Sequence, residues 1–435
     1  MKKSLFLFIA FFFFSFGCSS PNAKDTDNSK AAPELSTTGT TERQKGTVKM
    51  EFNIRGLNAG GQTAQLIGIY MDQRFLADTA IIENNGKFVF QGDLLHNKGF
   101  YYAVLPGNVA IKLLLDEDQE FVLTADAANI DGTAQVEGSL TNKLFYEDLQ
   151  NRSDIDRQYG PVAGKIARMK PSDPEFKATY DEFLRLSRQF DEKNNHLLKA
   201  YPDNFFTKFK VGGKNPTLTF PALPNGDLDV RAQTYHFRNN FWDGFDFSEP
   251  GLINTPAFFN KMNRYITELT PQHQDSLIKY TDYLMDMAGG NDEYYKTITN
   301  WVALKYEPGK TTLMDGEAVY SHIILKYFTP ERASWLDDVS ITMLRKRAEE
   351  MSHSLLNKKA KNVTARAKDG KSHSFFDSKA PVIIVFIYNP DCEHCAAETP
   401  QLINFYHKWK NNGVEVFSIA ANTTESEWRE YASKY

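Results

Sequence analysis

Cysteine is scarce: three occur in 435 residues, at positions 18, 392 and 395. So few thiols cannot make the disulfide framework of a small secreted scaffold. An excess of positive charge is missing too. Fifty Lys and Arg stand against 55 Asp and Glu, a formal net charge of −5. No basic field therefore advertises nucleic acid binding. Beyond the N-terminus, no run approaches the roughly 20 apolar residues of a membrane span. Neither a serine-centred nucleophile elbow nor a zinc-protease helix motif is present. Gly309-Lys310-Thr311 has Leu304 where a phosphate loop needs its first glycine, so that reading is rejected. Asp116-Glu117-Asp118-Gln119-Glu120 lacks the ligand spacing of a calcium loop and reads as a solvated hairpin turn. His236, His322 and His353 stand alone, and lone histidines are more often surface or core residues than ligands.

What is present supports packed domains. Hydrophobic residues make up 41% of the chain and aromatic residues 13%, and the length suits two to four domains. Residues 1–18 form a targeting segment, with Lys2 and Lys3 ahead of a mostly Phe/Leu run from Leu5 to Phe16. Ser15-Phe16-Gly17-Cys18 resembles a bacterial lipobox, with Ser15 where Leu is usual. The resemblance implies that Cys18 is the lipidated first residue of the mature chain. Ser19 after it resembles outer-membrane sorting in a Gram-negative bacterium, with the protein facing the periplasm. Acyl chains would then hold the protein to the membrane, in place of a spanning helix. The bland alternative is an uncleaved N-terminal anchor. Residues 19–46, rich in Ser, Thr, Asn, Asp and Pro, have almost nothing to bury and read as a disordered tether.

Three folded segments are expected after the tether, making a multidomain chain. Residues 47–138 read as an antiparallel β-sandwich. Candidate strands lie at 48–54, 65–70, 75–82, 87–91, 101–105, 110–115 and 120–125. Turn residues separate them, among them Asn84-Asn85-Gly86 and Pro106-Gly107-Asn108. Residues 139–359 read as a mainly α-helical domain. Phe176, Tyr180, Phe183, Leu184, Phe190, Leu197 and Leu198 recur at helical spacing, and Pro202 stops that helix. Thr255-Pro256 and Thr270-Pro271 each read as an N-cap followed by proline at the first helical position. The aromatics between Tyr235 and Phe259 read as core anchors ahead of a ligand groove. Residues 360–435 read as a hairpin followed by strand 382–388, helix 393–410, strand 414–419 and helix 426–434, the opening of an α/β domain.

The chemistry gathers at Cys392-Glu393-His394-Cys395, on the corner between the strand 382–388 and the helix after it. A thiolate, not a thiol, attacks a disulfide. Amide N–H groups at a helix start stabilise that negative charge, so Cys392 is the expected nucleophile. Cys395 lies three residues on, on the same face and less exposed, placed to resolve the mixed disulfide. A protonated His394 would lower the Cys392 pKa, while Glu393 and Asp391 act in the opposite sense, so an intermediate redox poise is expected. Glu398 lies on the Cys395 face and is a candidate acceptor for the proton that Cys395 must lose. A zinc site needs two further ligands; His373, His394 and His407 form no paired knuckle, so no metal is expected. A structural disulfide would staple only two intervening residues and remove little chain entropy.

Cys392, Cys395, Glu398 and Pro400 stand in a Cys-x-x-Cys-x-x-Glu-x-Pro pattern. With a strand before it and a helix and second strand after it, this segment resembles the thioredoxin-like superfamily in its membrane-tethered TlpA/ResA branch. The resemblance covers about residues 360–435. It implies an incomplete α/β thioredoxin-like domain at the C-terminus, with Cys392 as nucleophile, Cys395 as resolving thiol, Glu398 as proton acceptor and Pro400 as a helix-kinking proline. Two positions depart from it: Asp391 replaces the usual Trp, and Phe386 replaces a buried acid. The regions ahead also look like accessory modules of envelope lipoproteins. A thioredoxin fold continues beyond a second helix, so the sequence is expected to be the front of a longer product.

The expected function is an envelope-anchored thiol–disulfide oxidoreductase. It would act on the disulfides of exported proteins, fed by an upstream envelope electron donor. It would need no cofactor beyond its own Cys392–Cys395 disulfide. Its contacts would be protein thiols and the membrane through a lipid anchor, with no nucleic acid. The alternative is a non-enzymatic envelope binding lipoprotein with a vestigial redox domain.

Overall fold

The computed structural model describes residues 43–107 and 109–435. The expected leader 1–18 with Cys18, almost all of the 19–46 tether, and Asn108 lie outside the described residues. The chain divides into two compact units, one ending at Ala348 and one running from Glu349 to Tyr435. Among the described residues, no helix is long and apolar enough to cross a membrane.

The first unit opens with β1 (Lys45–Arg55), β2 (Thr63–Tyr70), β3 (Gln73–Ile81), β4 (Lys87–Leu94), β5 (Gly99–Leu105), β6 (Val109–Leu115) and β7 (Glu120–Asp126). A one-turn helix α1 (Ile130–Thr133) and a short β8 (Gln135–Glu137) follow. They form two four-stranded sheets, ordered β4-β1-β7-β8 and β3-β2-β5-β6. Alternation in β1 turns Met50, Phe52 and Ile54 inward, each with no exposed surface. Phe52 stacks on Phe88 at 4.7 Å and meets Phe90 and Phe121 edge-on at 5.8 and 6.1 Å.

Two details refine the expected sandwich. β1 and β7 pair in parallel, in register from Lys49↔Glu120 to Arg55↔Asp126, so the first sheet is mixed. A parallel pair needs a crossover, and β2 to β6 supply it: β2, β3, β5 and β6 make the other sheet, while β4 returns to pair with β1. The acidic 116–120 segment is not a solvated hairpin turn. It carries the chain from one sheet to the other, and Asp116 and Gln119 are buried. The Gln119 side chain accepts from the His96 amide at 2.8 Å and donates to the carbonyls of His96 and Asp116.

Helices follow: α2 (Leu140–Ile166), α3 (Phe176–Ala200), α4 (Phe205–Gly213), α5 (Val230–Asn239), α6 (Pro256–Arg264), α7 (Gln274–Ala288), α8 (Asp292–Lys305), α9 (Gly316–Tyr327) and α10 (Asp338–Ser352). Because β5 meets helices on the face away from the first sheet, six of its seven residues are buried and it shows no alternation. Phe100 packs against Phe145 and Phe209 at 6.0 and 5.8 Å. Strand β6 is a sheet edge, and α2 closes it. Asn142 donates to the Leu114 carbonyl and accepts its N–H, both at 2.9 Å, and the Tyr146 hydroxyl donates to the Lys112 carbonyl at 2.9 Å.

The dense aromatics are core. Trp242 lies 5.2 Å from Phe245 and 5.7 Å from Tyr265, and Phe258 lies 4.9 Å from Tyr294. Thr255-Pro256 opens α6 as expected. Thr270-Pro271 does not open α7. The Thr270 N–H closes the preceding π turn on the Tyr265 carbonyl at 3.0 Å, and His273 is the N-cap. The end of α9 is held from outside: Arg345 of α10 donates to the carbonyls of Leu325 and Phe328 at 2.8 and 3.1 Å. Arg345→Ala is therefore expected to cost about 1–2 kcal/mol, read as a lower urea midpoint with unchanged slope. Lys346→Ala on the exposed side should leave the midpoint in place.

The second unit begins with the expected hairpin, β9 (Thr364–Arg366) and β10 (Ser372–Ser374), around Gly370 at φ +78°. It continues through β11 (Val382–Tyr388), α11 (Glu393–Trp409), β12 (Val414–Ala420) and α12 (Glu425–Lys434). β11 and β12 run parallel from Val382↔Val414 to Tyr388↔Ala420. Gly413 at φ +85° sits in the left-handed region and turns the chain between α11 and β12. Among the described residues from 349 onward, only Phe375, Tyr388 and Thr399 are buried, so the site stands on a thin core.

Candidate active site around Cys392 and Cys395

The site is built from the end of β11. The Tyr388 carbonyl accepts the Ala421 N–H at 2.9 Å, which fastens the strand's last residue to the segment after β12. Asn389, Pro390, Asp391 and Cys392 then form a turn, closed by the Cys392 N–H donating to the Asn389 carbonyl at 3.1 Å. Proline in the second position supplies the φ that such a turn wants, and asparagine in the first bonds its own backbone. Here the Asn389 Oδ1 accepts the Asp391 N–H at 2.8 Å. The Asn389 Nδ2 donates to the Asn422 carbonyl at 3.4 Å, and Asn422 itself lies at φ +53°.

That turn delivers Cys392 to the N-cap of α11, extended at φ −86° and ψ 116°. Its carbonyl accepts the Ala396 N–H at 3.0 Å. The sulfur closes no formal capping hydrogen bond, yet the first-turn amides act on it. The thiol pKa is held below its ordinary value, first by the Cys395 amide, then by the Cys395 thiol, with a further contribution from the His394 amide. Partial desolvation and the Glu393 carboxylate oppose this. Position 394 thus contributes through its backbone. Both cysteines are free thiols and both are half-buried.

Other expected residues sit around the pair in different ways. Glu393, His394, Glu398 and Pro400 are exposed. Glu398 accepts from Gln401 at 3.4 Å, and among the described residues no hydrogen bond joins it to Cys395. Pro400 lies inside α11 and withholds the N–H that the Ala396 carbonyl would take. No group of three His, Cys, Asp or Glu side chains able to hold a metal occurs among the described residues.

Sequence reasoning missed Asn389 and Thr399. Thr399 is buried and its hydroxyl donates to the Cys395 carbonyl at 2.7 Å. With that proton used, the Tyr431 hydroxyl at 2.7 Å is the donor to Thr399. Tyr431 stacks on Tyr388 at 4.9 Å. An open groove of about 260 Å³ runs beside this contact, lined by Phe386, Tyr388, Thr399, Ile403, Tyr406 and Tyr431 among others. The signal for Thr399 was its place four residues after Cys395, where a threonine hydroxyl bonds back to the helix.

Three family matches fall along the chain. Residues 356–435 match the AhpC/TSA family, residues 186–354 a domain family of unknown function (DUF5106), and residues 46–145 another (DUF4369). No curated protein matches. Among solved structures, the chain is similar to a thioredoxin-like protein from Bacteroides caccae ATCC 43185, at 17% identity and a TM-score of 0.38. That match covers 51% of this chain and 80% of the other. The C-terminal domain is thioredoxin-like, behind β-rich sheets and a helical region. At the level of the family, such a domain indicates redox function.

Proposed function

We propose, with a thioredoxin-like C-terminal domain as the premise, that this protein is a thiol–disulfide oxidoreductase whose working pair is Cys392 and Cys395. The observation that carries the reading is Cys392 at the N-cap of α11, its pKa lowered by first-turn amides, with the Cys395 thiol beside it. The Cys392 thiolate attacks one sulfur of a substrate disulfide, that bond breaks, and the departing sulfur takes a proton from water. Cys395 loses its proton, attacks the Cys392 sulfur and frees the second substrate thiol. Two electrons have then left the pair, which closes as a disulfide. A dithiol donor returns them. On this reading Cys18 carries the lipid that keeps the enzyme in the envelope, and exported proteins supply the disulfides.

Insulin reduction by the full chain, with dithiothreitol as electron source, tests the proposal. Wild-type protein should accelerate the reaction, and Cys392→Ser should remove at least about a thousandfold of that acceleration. A wild-type rate equal to that of Cys392→Ser would overturn it.

A further inference from the structure

Cys392 owes its place to a residue outside the helix. The strand β11 ends at Tyr388, and α11 begins at Glu393. Four residues must turn the chain and leave Cys392 extended at the helix start. Asn389 controls that turn in three ways. Its backbone carbonyl accepts the Cys392 N–H at 3.1 Å. Its Oδ1 accepts the Asp391 N–H at 2.8 Å. Its Nδ2 reaches the Asn422 carbonyl at 3.4 Å, on the segment between β12 and α12. The first bond closes the turn. The second fixes its middle, where the Asp391 N–H would otherwise go to water. The third ties the turn to the neighbouring loop, next to the Ala421–Tyr388 backbone bond.

We propose that Asn389 is a positioning residue for the redox pair, and that its side chain holds Cys392 in the N-cap geometry in which the first-turn amides face the sulfur. The inference rests on the oxidoreductase reading of that site. Asn389 touches no reacting atom; it acts through the turn. Without its side chain the turn keeps Pro390 and the closing bond, so the fold survives while Cys392 samples orientations away from the amides. Those amides are the leading cause of the lowered thiol pKa, so that value reports the geometry.

The test compares wild type, Asn389→Ala and Asn389→Ser in the full chain. Serine keeps an oxygen that accepts the amide two residues on, and alanine does not. The readout is the pH dependence of Cys392 alkylation by iodoacetamide, which needs no substrate and no turnover. Asn389→Ala should raise the midpoint by about half to one pH unit, as loss of one hydrogen bond implies. Asn389→Ser should recover at least half of that rise. A merely structural role would lower the urea midpoint of the second unit and leave the alkylation midpoint in place. An unchanged midpoint in Asn389→Ala, or no recovery with serine, would overturn the inference. Failure of the wild type to reduce insulin would count against the oxidoreductase reading. The midpoint shift would still decide the role of Asn389.

Discussion

Cys395→Ser is expected to convert the site into a covalent trap. In the wild type the mixed disulfide on Cys392 is short-lived, because Cys395 lies three residues along the same helix face and its thiol already faces the Cys392 sulfur. Serine at 395 keeps the size and polarity of the side chain and removes the attacking sulfur. Substrate should therefore remain on Cys392, raising the mixed disulfide on a non-reducing gel at least about tenfold, and dithiothreitol should release it. The Cys392→Ser/Cys395→Ser double variant should hold none. The amides of His394 and Cys395 favour the Cys392 thiolate, so trapping should rise with pH and level off below about 8.5, the value of a free thiol. Trapping that climbs through pH 8.5 like a free thiol, or goes equally well on Cys392→Ser, would contradict the assignment of roles.

The largest stability effect is expected in the first unit, from Lys210→Met. Asp148 on α2 has 1% of its side chain exposed, and its Oδ2 lies 3.0 Å from the Lys210 ammonium on α4, itself 17% exposed. A carboxylate so placed has lost its water, and Lys210 offsets that cost. Methionine fills a similar volume without the charge and takes this ammonium away from the buried carboxylate, at a cost of about 2–3 kcal/mol. Asp148→Leu/Lys210→Met removes both charges and should be far milder than the sum of the single variants. Chemical denaturation of the full chain measures all three. If the double variant were as damaging as Lys210→Met, packing and not charge would explain the pair.

Much of this molecule was legible because its signals are local. Alternation from Val48 to Ile54 marked β1, since Met50, Phe52 and Ile54 share one buried face. Gly413 marked the end of α11 because the turn there needs a left-handed residue. The cysteine pair was legible for the same reason: a strand, a turn and a helix start are read within about 15 residues, and the chemistry follows from the helix start.

What the sequence did not disclose are choices among partners that look alike locally. Asn84-Asn85-Gly86 and the acidic 116–119 stretch have turn chemistry whether or not their flanking strands pair. In the fold both carry the chain between sheets. Thr270-Pro271 has the composition of a helix start, but the Tyr265 carbonyl claims the Thr270 N–H and moves the start to His273.

The same division runs through the site. The sequence by itself determined that two thiols would meet at one helix N-terminus in an α/β segment, because spacing and helix geometry leave no other outcome. Tertiary structure decided how they are held. Asn389 meets Asn422 across 33 residues, and Thr399 meets Tyr431 across 32. Those contacts exist only because β11 and β12 lie side by side, and no local pattern encodes a hydrogen bond between residues that the fold alone makes neighbours.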